Sequence, residues 1–451
     1  MKKTAQISLL LMVLSIAISV SIGFALASSM KRGAMVDFQS VYFATRCLIQ
    51  HHDPYDLAEF KGIYQSEGVG HPPGFIDEPE KVTWFINVPT VFIIAPLAVL
   101  PWEFARVLWA LLLIGSFLTA AFLIAGVAME YAPAMSLFLT CIVLANSEIV
   151  FGGGNTAGIV VSFTLAAAWC FLKQRFVPLG ILCMVVALAI KPHDAGLVWL
   201  YFLLSGGANR KRALQILAIY ITVGAAAVLW ISQVAPHWMQ EWSFNLAATS
   251  APGTTNDPGL SSAAGVIVDL QAVIAVFRDD PHIYNTVSYL VCGALILLWV
   301  VVTLRSRFSA ATAWYALAAI APLTILVTYH RPYDARLILL TIPACAMLWS
   351  AGGRLGWTAL IVNTLGFLFT GDLPLAALQI LGNHLHIGTA GIAQKMLTLV
   401  LLRPGSIILF VMAIFYLWVY VRCAGDDPVH RLARVGAGGN SHAPDQTLVP
   451  G

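Results

Sequence analysis

Charge is what this chain lacks most. Only 10% of its 451 residues are Asp, Glu, Lys or Arg, against about 25% in soluble proteins, while 59% are hydrophobic. Such a composition cannot cover a water-facing surface, which excludes a soluble globular enzyme and indicates a polytopic membrane protein. A net charge of +3 is too small to suggest a nucleic-acid partner. The seven cysteines are scattered, five of them (Cys141, Cys170, Cys183, Cys292, Cys345) inside apolar runs. Without a CxxC or metal-like spacing, neither a disulfide framework nor a zinc site is expected. A nucleotide-binding motif, a carboxylate pair and the Ser, His, Asp order of a hydrolase are missing too. So is the alternation, about ten residues long, of an outer-membrane strand, which leaves a helical bundle.

What the chain does carry is a succession of about thirteen apolar runs. They fall at 5–28, 83–100, 104–128, 134–151, 156–173, 178–190, 195–206, 213–234, 284–304, 309–328, 335–350, 354–370 and 404–422. The first follows Lys2 and Lys3 and exceeds the apolar part of a signal peptide, so it reads as an uncleaved span. Positive charge in short loops marks the cytoplasmic side. The anchors are Lys2 and Lys3, Lys173 with Arg175, Arg210 with Lys211 and Arg212, Arg305 with Arg307, Arg354, and the tail after Arg422. Their parity agrees only if 83–100, broken by Pro89 and Pro96, stays on one side as a re-entrant or interfacial segment. The expected fold is an all-α polytopic bundle of about twelve transmembrane helices with both termini inside. It forms one domain over 1–422, followed by a disordered cytoplasmic tail over 423–451.

In this arrangement the unusual polar stretches all face outward: Asp37 to Lys81, GGGN at 152–155, KPHD at 191–194, the loop 235–283, YHRPYD at 329–334, and 371–395. Run 178–190 covers about 20 Å against a hydrocarbon core of about 30 Å, and 195–206 is equally short. KPHD therefore sits below the outer surface, where charge is tolerated only within protein or beside a water-filled cavity. A cavity with a polar floor is expected, beneath a mobile lid formed by 235–283 that includes a short helix packed on the membrane.

Asp37, in MVDFQSVYFA, stands at the membrane edge, where an acidic residue is a functional hypothesis by default. Ending a helix at the interface would also account for it. Behind it, Phe38, Val41, Tyr42, Thr45 and Leu48 fit one face of a helix resting on the bilayer, which favours a fixed general base. Lys191 and Asp194 either neutralise each other or leave Lys191 to meet an anionic headgroup. His330 and Arg331 either belong to an interfacial belt with Tyr329 and Tyr333 or bind phosphate oxygens. GGGN, ending in Asn155, precedes a helix as phosphate-cradling turns do, and close helix packing explains it equally well. HHDPYD at 51–56, which contains Tyr55, reads as a turn. His51 and His52 diverge and lack a third ligand, so no metal is expected. One carboxylate facing several separate cations suits displacement of a sugar from a phosphate.

These stretches resemble the GT-C-type integral membrane glycosyltransferases of family 87, which include the polyprenyl-phosphate-mannose-dependent mannosyltransferases. MVDFQSVYFATRCLIQHHDPYD is similar to the family's D-F-x-x-Y-x-A and D-P-Y opening loop, and VPTVFIIAPLAVLP to its P-x-x-F and P-L-A-x-L-P stretch. GGGNTAGIVVS resembles its G-x-x-N segment, and LAIKPHDAGLVWLYFLLSGGANRKRAL its K-P turn with a basic loop. The likeness covers most of 30–215 and extends more loosely to about 350. It departs where Asn87, Val88 and Pro89 replace Tyr-Pro-Pro, where GGGN replaces G-Q-x-N, and where DPGLSS replaces Asn-Gln-Ser, which leaves acceptor and donor sugar open. The resemblance implies an inverting hexosyltransferase in the bacterial inner membrane with its active site on the outer face. It would take a hexose, mannose first, from polyprenyl phosphate and give it to an outer-leaflet glycolipid or glycan. Asp37 would be the base and His330 would lie near the donor phosphate. Lys191, His330, Arg331, Asn155, Asp194 and Tyr55 are the expected substrate-binding residues. Partners are the two substrates and membrane lipids, with no cofactor beyond the lipid-linked donor. A competing expectation is a transporter or flippase of lipid-linked glycans, which would put polar residues on both sides of the midplane.

Overall fold

The computed structural model describes residues 11, 13–24, 27, 35–66, 86–254, 256–259, 267–384 and 391–424, and among them helices are the regular elements and no strand occurs. The first apolar run contains α1 (Val13–Phe24). Then come α2 (Val36–Ile49), α3 (Leu57–Ser66), α4 (Val88–Ala98), α5 (Trp102–Met129), α6 (Pro133–Leu144) and the five-residue α7 (Glu148–Gly152). They lead to α8 (Thr156–Leu172), α9 (Val177–Ile190), α10 (Pro192–Leu204) and α11 (Gly207–Val234). The loop that follows holds α12 (Trp238–Thr249) and α13 (Leu270–Phe277). The chain ends with α14 (Pro281–Arg305), α15 (Ala310–Val327), a 3-10 helix (Asp334–Leu340), α16 (Thr341–Ala351), α17 (Gly353–Phe369), α18 (Asp372–His384), α19 (Ile392–Leu402) and α20 (Pro404–Cys423). Among the described residues six helical stretches are long and apolar enough to cross a membrane: α5, α11, α14, α15, the 3-10 helix with α16, and α20. Helices α1, α4, α6, α8, α9 and α19 are apolar but shorter.

Helix starts follow the sequence. Proline opens α4, α6, α9, α10, α14 and α20, where its missing N–H would have had no partner. Ser309 and Thr312 form a capping box at the start of α15, each satisfying the other's free backbone N–H. Helix α15 is buried without a break from Thr312 to Leu326. Its alanines (Ala313, Ala316, Ala318, Ala319, Ala321) let neighbouring helices approach closely, and α10, α14, α16 and α20 pack against it. Its C-terminus releases the chain into Tyr329–Asp334, at the centre of the polar site. Helices α9 and α10, of 14 and 13 residues, meet at the single residue Lys191. Pro192 disfavours a helical conformation there, and Lys191 takes φ −139°, ψ 85°.

The structure corrects several expectations. Helix α2 does not rest one face on the bilayer: Phe38 to Thr45, Cys47 and Leu48 are all buried, enclosed by α3, α4 and α5. Aromatic packing explains the enclosure, since Phe38 stacks on Trp109 with ring centres 4.4 Å apart. Tyr42 donates to the Leu100 carbonyl at 2.7 Å, and Tyr64 donates to Gln39 Oε1 at 2.7 Å. The run 134–151 divides at Asn146 and Ser147, whose side chains bond back to the carbonyls of Ile142 and Val143 at 3.1 and 2.6 Å and end α6. The expected outer loop 371–395 contains α18 and the start of α19. The short helix of the lid, α13, is amphipathic and packs on α14, α19 and α20. Arg403 holds the lid base by donating to the carbonyls of Pro258, Gly259 and Ala272. Residues 67–85 of the expected outer loop, 260–266 of the lid and the tail from 425 lie outside the described residues.

Candidate active site

Asp37 lies in the first turn of α2, where the helix dipole favours an anion. It is half-buried. Its backbone N–H donates to the Gly153 carbonyl at 3.0 Å, and its Oδ2 accepts from Asn155 Nδ2 at 2.8 Å. Asn155 cannot be turned the other way, because its Oδ1 already accepts from the Ala157 N–H at 2.8 Å and caps α8. Among the described residues Oδ1 of Asp37 carries no hydrogen bond. The three glycines make the close approach possible. A Cβ on Gly153 would sit 2.9 Å from Asp37 Oδ2, and one on Gly154 would sit 2.8 Å from Met35 Cβ. Gly154 also adopts φ +62°, and its carbonyl accepts from the Trp109 indole at 2.8 Å. The GGGN turn therefore holds the Asp37 carboxylate in place.

Opposite Asp37 stands the segment between α15 and the 3-10 helix. Arg331 lies within electrostatic reach of Asp37, with its Nε donating to the Tyr329 hydroxyl. Lys191 pairs with Asp334 Oδ1 at 2.8 Å and places its ammonium 5.2 Å from the Tyr333 ring centre. Tyr333 in turn is within electrostatic reach of Asp37. Asp334 Oδ2 accepts from the Arg331 N–H at 2.9 Å, which ties the two cations to one bend. Asp194 is fully buried and meets His330 Nε2 through Oδ1 at 2.8 Å. His330 Nδ1 lies 3.0 and 2.8 Å from the carbonyls of Ile325 and Thr328. Carbonyls only accept, so Nδ1 donates to them, and a second proton lies between Nε2 and the Asp194 carboxyl.

The fold thus brings Asp37, Asn155, Lys191, Arg331, Asp194 and His330 into one polar centre. Lys191 does not pair with Asp194, as its sequence proximity suggests, but with Asp334. His330 is fully buried with both ring nitrogens engaged, which makes it a brace behind the cations. Tyr55 stands apart. Its hydroxyl donates to the Ile86 carbonyl at 2.7 Å, and it packs in a satellite cluster with Leu48, Val88, Val91, Ala227 and Ile231. Sequence reasoning missed Asp334, although it closes the YHRPYD motif, and it missed His193. The ligand atoms of His193, Asp194 and His330 lie within 4.8 Å of one another and are the residues that could hold a cation.

The helices and this enclosed carboxylate-and-cation centre define a polytopic helical membrane protein with a buried polar site. The chain belongs to Glycosyltransferase family 87, which matches residues 85–329, more than half of its length; it is a membrane glycosyltransferase. Asp37 lies ahead of the matched residues, and the GGGN turn, within them, holds it. No curated protein and no solved structure matches.

Proposed function

We propose that the protein is an inverting glycosyltransferase that moves a hexose, mannose first among candidates, from a polyprenyl-phosphate donor to an outer-leaflet glycolipid or glycan. One observation carries this reading: the Asp37 carboxylate, oriented through Oδ2 by Asn155, lies within electrostatic reach of Arg331, on the bend whose Asp334 also holds Lys191. Oδ1 of Asp37 takes the proton of the acceptor hydroxyl. The acceptor oxygen attacks the anomeric carbon from the face opposite the phosphate, the bond from carbon to phosphate oxygen breaks, and polyprenyl phosphate leaves. Its charge is met by Arg331, through a planar fork, and by Lys191. His330 and Asp194 hold the backbone of the cation-bearing bend, while Asn155 holds the base. No step calls for a metal or a second nucleophile, and the site faces the outer side of a bacterial inner membrane.

The test compares envelope glycolipids by mass spectrometry in a strain lacking the protein and in the same strain carrying wild type or Asp37→Asn. The reading predicts one glycan shortened by a hexose in the null strain, restored by wild type and not by Asp37→Asn at equal protein level. Restoration by Asp37→Asn, or a retained anomeric configuration in the product, would overturn it.

A further inference from the structure

A second set of buried polar groups lies outside the Asp37 centre. Arg336, on the 3-10 helix, is 1% exposed. Its Nη2 donates to the Thr370 carbonyl and, at 3.2 Å, to Thr370 Oγ1, and its Nε donates to the Pro332 carbonyl at 3.4 Å. Nη1 is buried and has no partner among the described residues. Glu148, at the start of α7, and Asp372, at the start of α18, lie within electrostatic reach of this guanidinium. Oε2 of Glu148 and Oδ1 of Asn146 are buried and unpartnered as well. Asn146 touches the same corner, since a Cβ on Gly371 would sit 2.6 Å from its Cβ. A buried donor and two buried acceptors left open at one place are costly, and folded proteins complete such groups with a ligand or water.

The chemistry discriminates among ligands. Two carboxyl groups beside one guanidinium repel a phosphate. A sugar fits, because each hydroxyl both donates and accepts: one accepts from Arg336 Nη1 while it or its neighbour donates to Glu148 Oε2 and Asn146 Oδ1. Position fits as well. Helix α7 runs from Glu148 to Gly152, and the next residue, Gly153, gives its carbonyl to Asp37. Five residues at about 1.5 Å each put the Glu148 backbone about 8 Å from that of Gly153, which Asp37 touches, on the order of one sugar ring.

We propose that Asn146, Glu148, Arg336 and Asp372 form a subsite that grips a sugar ring of the acceptor by its hydroxyls, one ring removed from the hydroxyl that Asp37 deprotonates. This rests on the glycosyltransfer reading above and goes beyond it by assigning where the acceptor is held. The test is saturation-transfer difference NMR on the full-length protein in detergent, with methyl mannopyranoside, glucopyranoside and galactopyranoside as probes. Signals are expected for at least one sugar with wild type and with Asp37→Asn, and a loss of tenfold or more with Glu148→Gln, Asp372→Asn and Asn146→Ala. Unfolding temperatures are measured in parallel, and Asn146→Ala, which alters no charge, covers a carboxyl variant that fails to fold. Absence of signal with every sugar, which would leave only water in the cluster, overturns the subsite. So does equal signal in wild type and the three variants, or loss confined to Asp37→Asn. Should Asp37→Asn keep full transfer activity while the sugar signals behave as expected, the base assignment falls and the subsite stands.

Discussion

At the scale of single residues, Asn155 separates folding from catalysis. Its Oδ1 caps α8 and its Nδ2 orients Asp37. Asn155→Asp keeps an acceptor for the Ala157 N–H, and with it the α8 cap, but replaces the donor to Asp37 by a like charge, so kcat falls by about 10² or more. Asn155→Ala loses the cap too and costs about 1 kcal/mol, read as a lower unfolding temperature. Gly153→Ala puts a methyl 2.9 Å from Asp37 Oδ2 and displaces the carboxylate, so transfer falls with little change in unfolding temperature. Some of this was legible in the sequence. Asp37, Lys191, Arg331 and the GGGN turn all attract notice as polar groups in apolar surroundings. Their pairing was not legible, because which acid meets Lys191 depends on a helix about 140 residues away, and local spacing favours the nearer Asp194.

Among elements, α12 and the turn at 51–56 form a docking pair. Asn245 Nδ2 donates to the Tyr55 carbonyl at 3.1 Å, and Trp238 lies 6.5 Å from the Tyr55 ring. Glu241 faces Asp53, with Asp56 and Glu59 nearby, and desolvation, then the Asp53 hydrogen bond, pushes it from about 4.5 up to about 7. His52 pairs with Glu59 at 3.3 Å. An acid raised in the docked state binds a proton there that it releases when undocked, so docking weakens as pH climbs from about 4.5 through about 7. Amide protection factors over 238–249 should be higher at pH 6 than at pH 8, and Glu241→Gln should remove the difference; equal protection in wild type at both values would contradict the docking account. The sequence marks this region as a loop between Trp238 and an apolar stretch. It does not reveal that the lid base is tied by Arg403, because the carbonyls that Arg403 binds belong to residues more than 130 positions earlier.

For the whole molecule, the site is a meeting of distant segments, and its stability depends on buried charge being paired. Lys191 and Asp334 join α9 and α10 to the 3-10 helix across 143 positions, and Asp334 is 2% exposed at its side chain. Lys191→Met strands that carboxylate and should lower stability by about 3–5 kcal/mol. Adding Asp334→Asn should recover much of the loss, a coupling visible in thermal unfolding of the single and double variants; simple additivity would show that the pair does not join the segments. The helical class and the turn at Lys191 between two short helices follow from hydropathy and run length. The divided run at Asn146 and Ser147 and the helices within 371–402 do not, because backbone bonding by Ser and Asn and the packing of α18 and α19 act below the resolution of hydropathy. The central claim remains the role of one carboxylate. It is tested most directly by sugar transfer from polyprenyl-phosphate mannose, with purified wild type and Asp37→Asn in detergent and donor binding measured on the same samples. The account predicts unchanged donor binding and a kcat lowered by about 10² to 10⁴; transfer within threefold of wild type would contradict it.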